Sequence, residues 1–335
     1  MKYKVNTGIV GCGAHAQIVH FPVFRNNPQC NLIALCDSDI RKIDYLGAKY
    51  NIPYRYQDFQ EMLQNKELDA IIIATPNYLH APMAISAMEF GKDVLCEIPM
   101  ATNVKDAQEM TRVSKKTKRK LAVAMNHRLR PDVQTLKKFI GEGELGDIYY
   151  IKAGWLIGAS EWILHPWRRD QLKSGGGAFL SLGSGLLDIT THLLEDKKMS
   201  TIFASIHKKE PNAEVEDTAM CIINFTDGAL LTIEVSWSLI FEKDFLYCNV
   251  FGRKGAALLN PLKIQKELHN ELVNVTPTFP QKNMYRISYE LQAQFFLDAL
   301  IKNTKPPFDC EDGLLIAKIA DAFYKSAQKQ KLVKI

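Results

Sequence analysis

The chain has no C-x-x-C pair and no cysteine–histidine spacing suited to zinc, and its seven cysteines (Cys12, Cys30, Cys36, Cys96, Cys221, Cys248 and Cys310) are scattered and odd in number. A disulfide framework and a metal centre are therefore not expected, and the thiols read as reduced packing residues. Long apolar runs are missing too. The most suggestive stretch, residues 228–241, carries Glu234 and reads as strand, so no membrane partner is expected. The amino terminus, MKYKVNTGIVGCG, has neither a secretory h-region nor a small-residue cleavage site, and the expected location is the cytoplasm. Charge of one sign is scarce: 42 Lys and Arg against 37 Asp and Glu leave a formal +5. The densest basic run, residues 115–120, has no interleaved aromatics and reads as a solvated helix end rather than a nucleic-acid surface. Repeats, low-complexity tracts and long linkers are absent.

At 335 residues, 47% of them hydrophobic and 24% charged, the composition is that of a globular protein with two domains. Up to residue 124, short β-branched runs at 4–10, 32–36, 70–74, 93–96 and 121–124 alternate with amphipathic helical stretches, which specifies parallel βαβ units. Beyond about residue 125 the pattern changes. Helices are expected over 131–142, after Gly175, and over 285–301 and 311–329, with strands over 220–225, 230–237 and 246–251 and a hairpin turn at Asp227-Gly228. The expected fold class is α/β: a Rossmann NAD(P)-binding domain over residues 1–124, then an α/β domain with a mainly antiparallel sheet over residues 125–335.

Gly11-Cys-Gly13-Ala-His-Ala16 follows the first expected strand and opens a helix, the context that separates a dinucleotide fingerprint from a chance pair of glycines. Gly11 permits the tight turn, Gly13 lets the main chain approach a pyrophosphate, and Ala16 allows close helix–strand packing, with Ala14 in the same turn. Asp37, ending the second strand, is placed to accept hydrogen bonds from the adenosine ribose and favours NAD. Ser38, Arg41 and Lys42 are close enough in sequence to hold a 2′-phosphate, so NADP stays open.

Ala74-Thr-Pro-Asn-Tyr-Leu-His80, followed by Gly91-Lys-Asp-Val-Leu-Cys-Glu97-Ile98-Pro99, closely resembles the Gfo/Idh/MocA oxidoreductases. Asn126-His-Arg-Leu-Arg-Pro131, the triple glycine at 175–177 and Glu311-Asp-Gly313 extend the resemblance along the chain. It implies a Rossmann domain joined to an open α/β domain, a sugar, cyclitol or related small molecule bound between them, and a homodimer or homotetramer formed through the second sheet. By the same resemblance Thr75, Pro76, Asn77, His80, Glu97 and Ile98 lie on the cofactor side, where parallel sheets bind ligands. Trp162, His165, Trp167, Arg168 and Arg169 lie in a segment that resembles the family's substrate-facing loop, joined by Arg128 and Ser181; the alternative is that the tryptophans are packing residues and the arginines a solvated edge. Aromatic faces and guanidinium forks suit sugar rings and carboxylate or phosphate groups.

Two departures from the family pattern bear on the chemistry. The usual Glu-Lys-Pro, whose lysine adjoins the nicotinamide and the reacting hydroxyl, is Glu97-Ile98-Pro99, and the usual Asp-x-Gly-x-His-x-x-Asp is Ser181-Leu-Gly183-Ser-Gly185-Leu-Leu-Asp188. Alcohol oxidation requires a proton to leave the hydroxyl, and a positioned base contributes roughly 10²- to 10⁴-fold. Ser181, Gly185, Asp188 and His192 have the spacing of one helical stripe, on which Asp188 and His192 can pair as a relocated acid/base couple. The alternative is structural, with Asp188 anchoring His192 or the helix. His80 likewise either relays a proton or orients the 75–77 loop. Exchanging Lys, Asp and His for Ile, Ser and Gly also predicts a roomier, drier pocket. Two functions stay open: an NAD(P)-dependent oxidoreductase with an altered acid/base set, and a non-catalytic NAD(P)-binding sensor or assembly protein descended from one.

Overall fold

The structure, a computed structural model, describes residues 4–158, 165–278 and 282–335. The chain divides into two compact units, Met1–Asn126 with Tyr289–Ala317, and His127–Ser288 with Lys318–Ile335.

The first unit is built on six parallel strands: β1 (Val5–Val10), β2 (Cys30–Cys36), β3 (Tyr54–Tyr56), β4 (Ala70–Ile73), β5 (Asp93–Cys96) and β6 (Leu121–Val123). Their order is β3-β2-β1-β4-β5-β6, so the winding reverses between β1 and β4, the place where such sheets receive ligands at their carboxyl ends. β4, reading AIII, is buried at all four positions, as a strand covered on both faces requires. Intervening helices carry their own start signals. Asp39 caps Ile40–Tyr50 by accepting from Arg41 N, and Asn103 caps Val104–Thr117 by accepting from Asp106 N. The short β3, with Arg55 at its centre and no apolar run, was not foreseen.

Tyr289–Ala317, within the span 125–335 expected for the second domain, packs with the first unit. Polar side chains contribute to that attachment beside buried Phe296, Leu297 and Phe308: Gln294 donates to Gln29 Oε1 at 2.6 Å and accepts from Asn27 Nδ2 at 3.1 Å. Gly313 allows a close approach, because a Cβ there would lie 2.5 Å from Met100 Sδ and 2.8 Å from Val123 Cγ2.

The second unit carries β7 (Ile148–Gly158), β8 (Met199–His207), β9 (Thr218–Phe225), β10 (Leu230–Leu239), β11 (Phe245–Gly252), β12 (Gly255–Leu259), β13 (Lys263–Leu268), β14 (Glu271–Asn274) and β15 (Val333–Lys334). They form one nine-stranded sheet in the order β14-β13-β12-β11-β7-β10-β9-β8-β15. Its neighbours pair antiparallel except β7 and β10, so the sheet is open and mainly antiparallel as expected. The β9–β10 hairpin turns at Asp227-Gly228, with Gly228 at φ +87° and Leu230 opposite Asn224. Along β9, Ala219, Cys221, Ile223 and Phe225 are buried while Met220 and Ile222 are exposed, the alternation of a sheet with one covered face. Helices Pro131–Gly141 and Ser184–Leu193 belong to this unit. The loop that bears the triple glycine is held by buried Glu216, which accepts from Gly177 N, Phe179 N and the Tyr324 hydroxyl, each at 3.0 Å.

Candidate functional site

The carboxyl ends of β1, β2, β4 and β5 bring together the residues expected to hold a dinucleotide. Gly11 has φ +88°, and a Cβ there would lie 2.5 Å from the Ala74 carbonyl oxygen, so the turn after β1 requires glycine. A Cβ at Gly13, by contrast, would meet no protein atom within 4 Å, which leaves its main chain open to a phosphate. Ala16 is fully buried, as close helix–strand packing demands, and Ala14 is exposed on the turn. Asp37 braces this turn: its Oδ2 accepts from Cys12 N at 2.7 Å and its Oδ1 from Asp39 N at 2.9 Å. Lys42 Nζ stands 3.6 Å from the same carboxylate, while Arg41 turns to Asp39.

At the end of β4, Thr75 Oγ1 is buried with no hydrogen-bond partner among the described residues. An orphaned hydroxyl there, beside an open glycine turn and a carboxylate at the end of β2, fits a bound dinucleotide. Pro76 precedes a short turn over Asn77–Leu79, in which Asn77 is buried. Buried His80 spans the loop, with Nδ1 2.8 Å from the Pro99 carbonyl and Nε2 2.9 Å from the Thr75 carbonyl. Both ring nitrogens face main-chain carbonyls, so the ring links the 75–77 loop to the segment that follows β5, a geometry that suits the orienting alternative.

Ile98, half-buried, follows Glu97, and Glu97 is the centre of a cluster that sequence spacing did not foresee. His15 Nε2 lies 3.0 Å and His20 Nε2 2.7 Å from Glu97 Oε1, and Ile98 N donates to Oε2 at 3.2 Å. Burial alone pushes the Glu97 carboxyl up, but the two imidazoles outweigh it and hold the group well below the usual carboxylate range; burial pulls His20 down. The histidines are five residues apart, a spacing that an α-helix would split between faces. Here Ala16–His20 is a π-turn, in which Phe21 N–H donates to the Ala16 carbonyl five residues back, and the two rings come to 5.4 Å. Pro22, lacking an N–H, is the sequence feature that accompanies this irregular turn.

In the second unit the Asp188–His192 couple does not form. Asp188, fully buried, accepts from Arg128 Nε at 2.5 Å and from Arg128 N at 3.0 Å. A buried carboxylate is stabilised far more by a guanidinium than by a neutral imidazole, and Arg128 is thereby tied to Asp188 rather than presented as a substrate fork. His192 Nε2 instead takes a hydrogen bond from Gln134 Nε2 at 3.1 Å, and that amide also donates to the Arg128 carbonyl at 2.7 Å. Burial, with Arg128 and Lys137 nearby, lowers the His192 pKa to about 4, so the ring is neutral at pH 7. Ser181 lies in a second π-turn, Phe179–Gly183, and the α spacing on which the polar stripe rests begins only at Ser184.

At position 185 the expected extra room is taken up by neighbouring rings. A Cβ at Gly185 would lie 3.0 Å from Trp155 Cζ3 and 3.1 Å from both Cδ2 and Nε2 of His127. The space left by the missing side chain is thus filled by an edge-to-face pair of rings, His127 and Trp155, with centroids 5.1 Å apart. His127 is buried, and Tyr285 lies against it with ring centroids 5.8 Å apart. Sequence reasoning missed this histidine because no spacing rule connects position 127 with position 185. Of the segment before the triple glycine, Trp162 lies outside the described residues. His165 is exposed at 6.5 Å from the half-buried Trp167 ring, over which the Arg168 guanidinium stacks at 4.3 Å.

Comparison with known proteins agrees with this two-domain fold. The NAD-binding Rossmann-fold domain of an oxidoreductase family matches residues 5–125, and that family's C-terminal α/β domain matches residues 137–335. D-glucoside 3-dehydrogenase of Escherichia coli is 28% identical over 97% of this chain and 95% of its own. The NADP-dependent D-xylose 1-dehydrogenase of Haloarcula marismortui is 23% identical over 99% and 93%. Levoglucosan dehydrogenase, solved with NADH and levoglucosan, shares the fold with a TM-score of 0.88 over 99% of each chain at 22% identity.

Proposed function

The chain belongs to the Gfo/Idh/MocA oxidoreductase family, and from that premise we propose that it oxidises or reduces a sugar, cyclitol or related small molecule with NAD(P), using His127 in place of the family's histidine. The observation that carries catalysis rather than binding alone is the His127 imidazole set against Gly185, where that histidine would otherwise project. Bound NAD(P)⁺ supplies the hydride acceptor. The hydroxyl proton must then pass to a side chain, and Ile98 has no group to receive it, whereas an imidazole does. Arg128 and Asp188 hold the backbone at 128, one residue beyond His127. His165, Trp167 and Arg168 offer stacking faces and a cation suited to a hydroxylated or anionic substrate. Asp37 at the end of β2 supports a preference for NAD, and the apolar face of Met220, Ile222 and Phe203 supports self-association into a dimer or tetramer.

The test is to measure NADH and NADPH binding by fluorescence, then to follow nicotinamide absorbance with glucosides, aldoses, cyclitols and uronic acids. Turnover that falls roughly 10²- to 10⁴-fold in His127→Gln, with NADH affinity retained, is the expected result. Cofactor binding with no turnover on any member of the panel would replace this reading with the sensor or assembly protein, for which Ile98 is the supporting residue.

A further inference from the structure

We propose that His15, His20 and Glu97 form a binding site for one divalent transition-metal ion of the Zn²⁺ class, within the dinucleotide-binding unit. The three donor atoms, two imidazole nitrogens and one carboxylate oxygen, all lie within 4.8 Å of one another. Two histidines and one carboxylate are a donor set that Zn²⁺ accepts while keeping a fourth position open, and it favours Zn²⁺, Co²⁺ or Ni²⁺ over the all-oxygen sites of Mg²⁺ and Ca²⁺.

The separations are close to what such an ion needs. Bonds of about 2.0–2.1 Å in a tetrahedron set donor–donor edges of about 3.3 Å. The observed 3.0 Å (His15 to Glu97) and 2.7 Å (His20 to Glu97) edges would lengthen by about 0.3 and 0.6 Å to reach that value, and the His15–His20 edge lies within 4.8 Å.

The cluster is built by backbone rather than by loose side chains. The π-turn brings His15 and His20 onto one side, and Glu97 is fixed where β5 ends. His20 is 1% exposed, with Phe24 and Tyr289 at ring-centroid distances of 6.1 and 6.2 Å. Tyr289 also meets the His15 ring edge-on at 5.8 Å. His15, with 37% of its side chain exposed, is the side from which an ion enters. Preorganised donors with one open edge are what separates a metal site from a surface pair of histidines.

Full-length protein, freed of metal by chelation, would be dialysed against Zn²⁺ and against Co²⁺, with bound ion measured by elemental analysis and the Co²⁺ spectrum recorded in the visible range. The expected result is one Zn²⁺ per chain, not displaced by excess Mg²⁺, and Co²⁺ bands typical of a low-coordinate N/O site. Losing an outer partner of a metal ligand typically weakens a site about 10- to 100-fold, so removing a ligand in His15→Ala or Glu97→Gln should cost roughly 100-fold or more. His15→Ala alters a part-exposed side chain, so its circular dichroism should match that of the unaltered protein and keep the comparison valid if Glu97→Gln does not fold. Zn²⁺ binding by the unaltered protein no tighter than by folded His15→Ala would overturn the proposal.

Discussion

Placing a histidine back at position 185 should harm the protein unless His127 is removed at the same time. In Gly185→His the new Cβ alone would stand 3.0 Å from Trp155 Cζ3 and 3.1 Å from two atoms of the His127 ring, and the rest of the new ring would have to occupy space those two rings already fill. Overpacking of this kind costs about 1–3 kcal/mol. His127→Ala opens that space at its own cost in lost packing, and the double variant should recover most of the strain. The coupling between the two changes should therefore be favourable by about 0.5–3 kcal/mol, the range for residues in contact. Urea unfolding of the four proteins gives the stability cycle, and nicotinamide absorbance gives a parallel activity cycle. In the second cycle His127→Ala should lose about 10²- to 10⁴-fold and the double variant should regain part of it. Additive stabilities, with Gly185→His as stable as the unaltered protein, would refute the claim that His127 occupies the position-185 space. Coupled stabilities with no recovery of turnover would leave the packing argument standing and remove the catalytic one.

Asp188→Ala should be severe, because it strands a guanidinium that is 7% exposed, and loss of one partner of a buried pair costs about 3–5 kcal/mol. At about 2–4 °C per kcal/mol, calorimetry should register a fall of roughly 6–20 °C in Tm. Asp37→Asn keeps an acceptor for Cys12 N but removes the charge that repels a 2′-phosphate and leaves Lys42 unneutralised; the ratio of NADPH to NADH affinity should rise roughly tenfold, about 1.4 kcal/mol, in a fluorescence titration. Stability should also fall on acidification. The His192 pKa drops from 6.5 in the unfolded chain to about 4 in the fold, so between those values the unfolded chain binds the extra proton. Its contribution is complete above about pH 6.5 and is lost as pH falls toward 4, and His192→Gln should flatten that part of a stability–pH curve. His20, lowered by burial in the same direction, supplies slope that would remain.

Most of the first unit was legible because its signals are local. Gly11, Gly13, Ala16 and Asp37 are tied to one strand–turn–helix–strand sequence, and β1, β2, β4, β5 and β6 are apolar runs whose assignment needs no partner. Among the strands not named from the sequence, which also include β3, β8, β12 and β13, three carry weak local signals: β7 mixes buried and half-exposed residues, β14 is exposed at all four positions, and β15 is two residues long. Their pairing comes from neighbours far along the chain, such as Val333 opposite Ile202. The return of Tyr289–Ala317 to the first unit likewise rests on contacts distant in sequence, among them Gln294 with Gln29 and Gly313 against Met100, which no periodicity announces.

At the site itself, two π-turns separate the sequence reading from the structure. An α-helical ruler laid along the chain assigns Ser181 to the stripe of Gly185 and Asp188 and keeps His15 apart from His20. The turn at Phe179–Gly183 interrupts the ruler just where the stripe begins, and the turn at Ala16–His20 gathers the two histidines around Glu97. Each turn sits beside a motif that the sequence singles out, the glycine fingerprint in one unit and the triple glycine in the other. Helical irregularity of this kind is frequent at functional sites because one extra residue per turn aims a side chain that regular geometry would misplace. The same reasoning accounts for His127: its place beside position 185 is set by packing between residues 58 positions apart in sequence, so Gly185 alone reads as a loss, and only the folded chain shows what stands in its space.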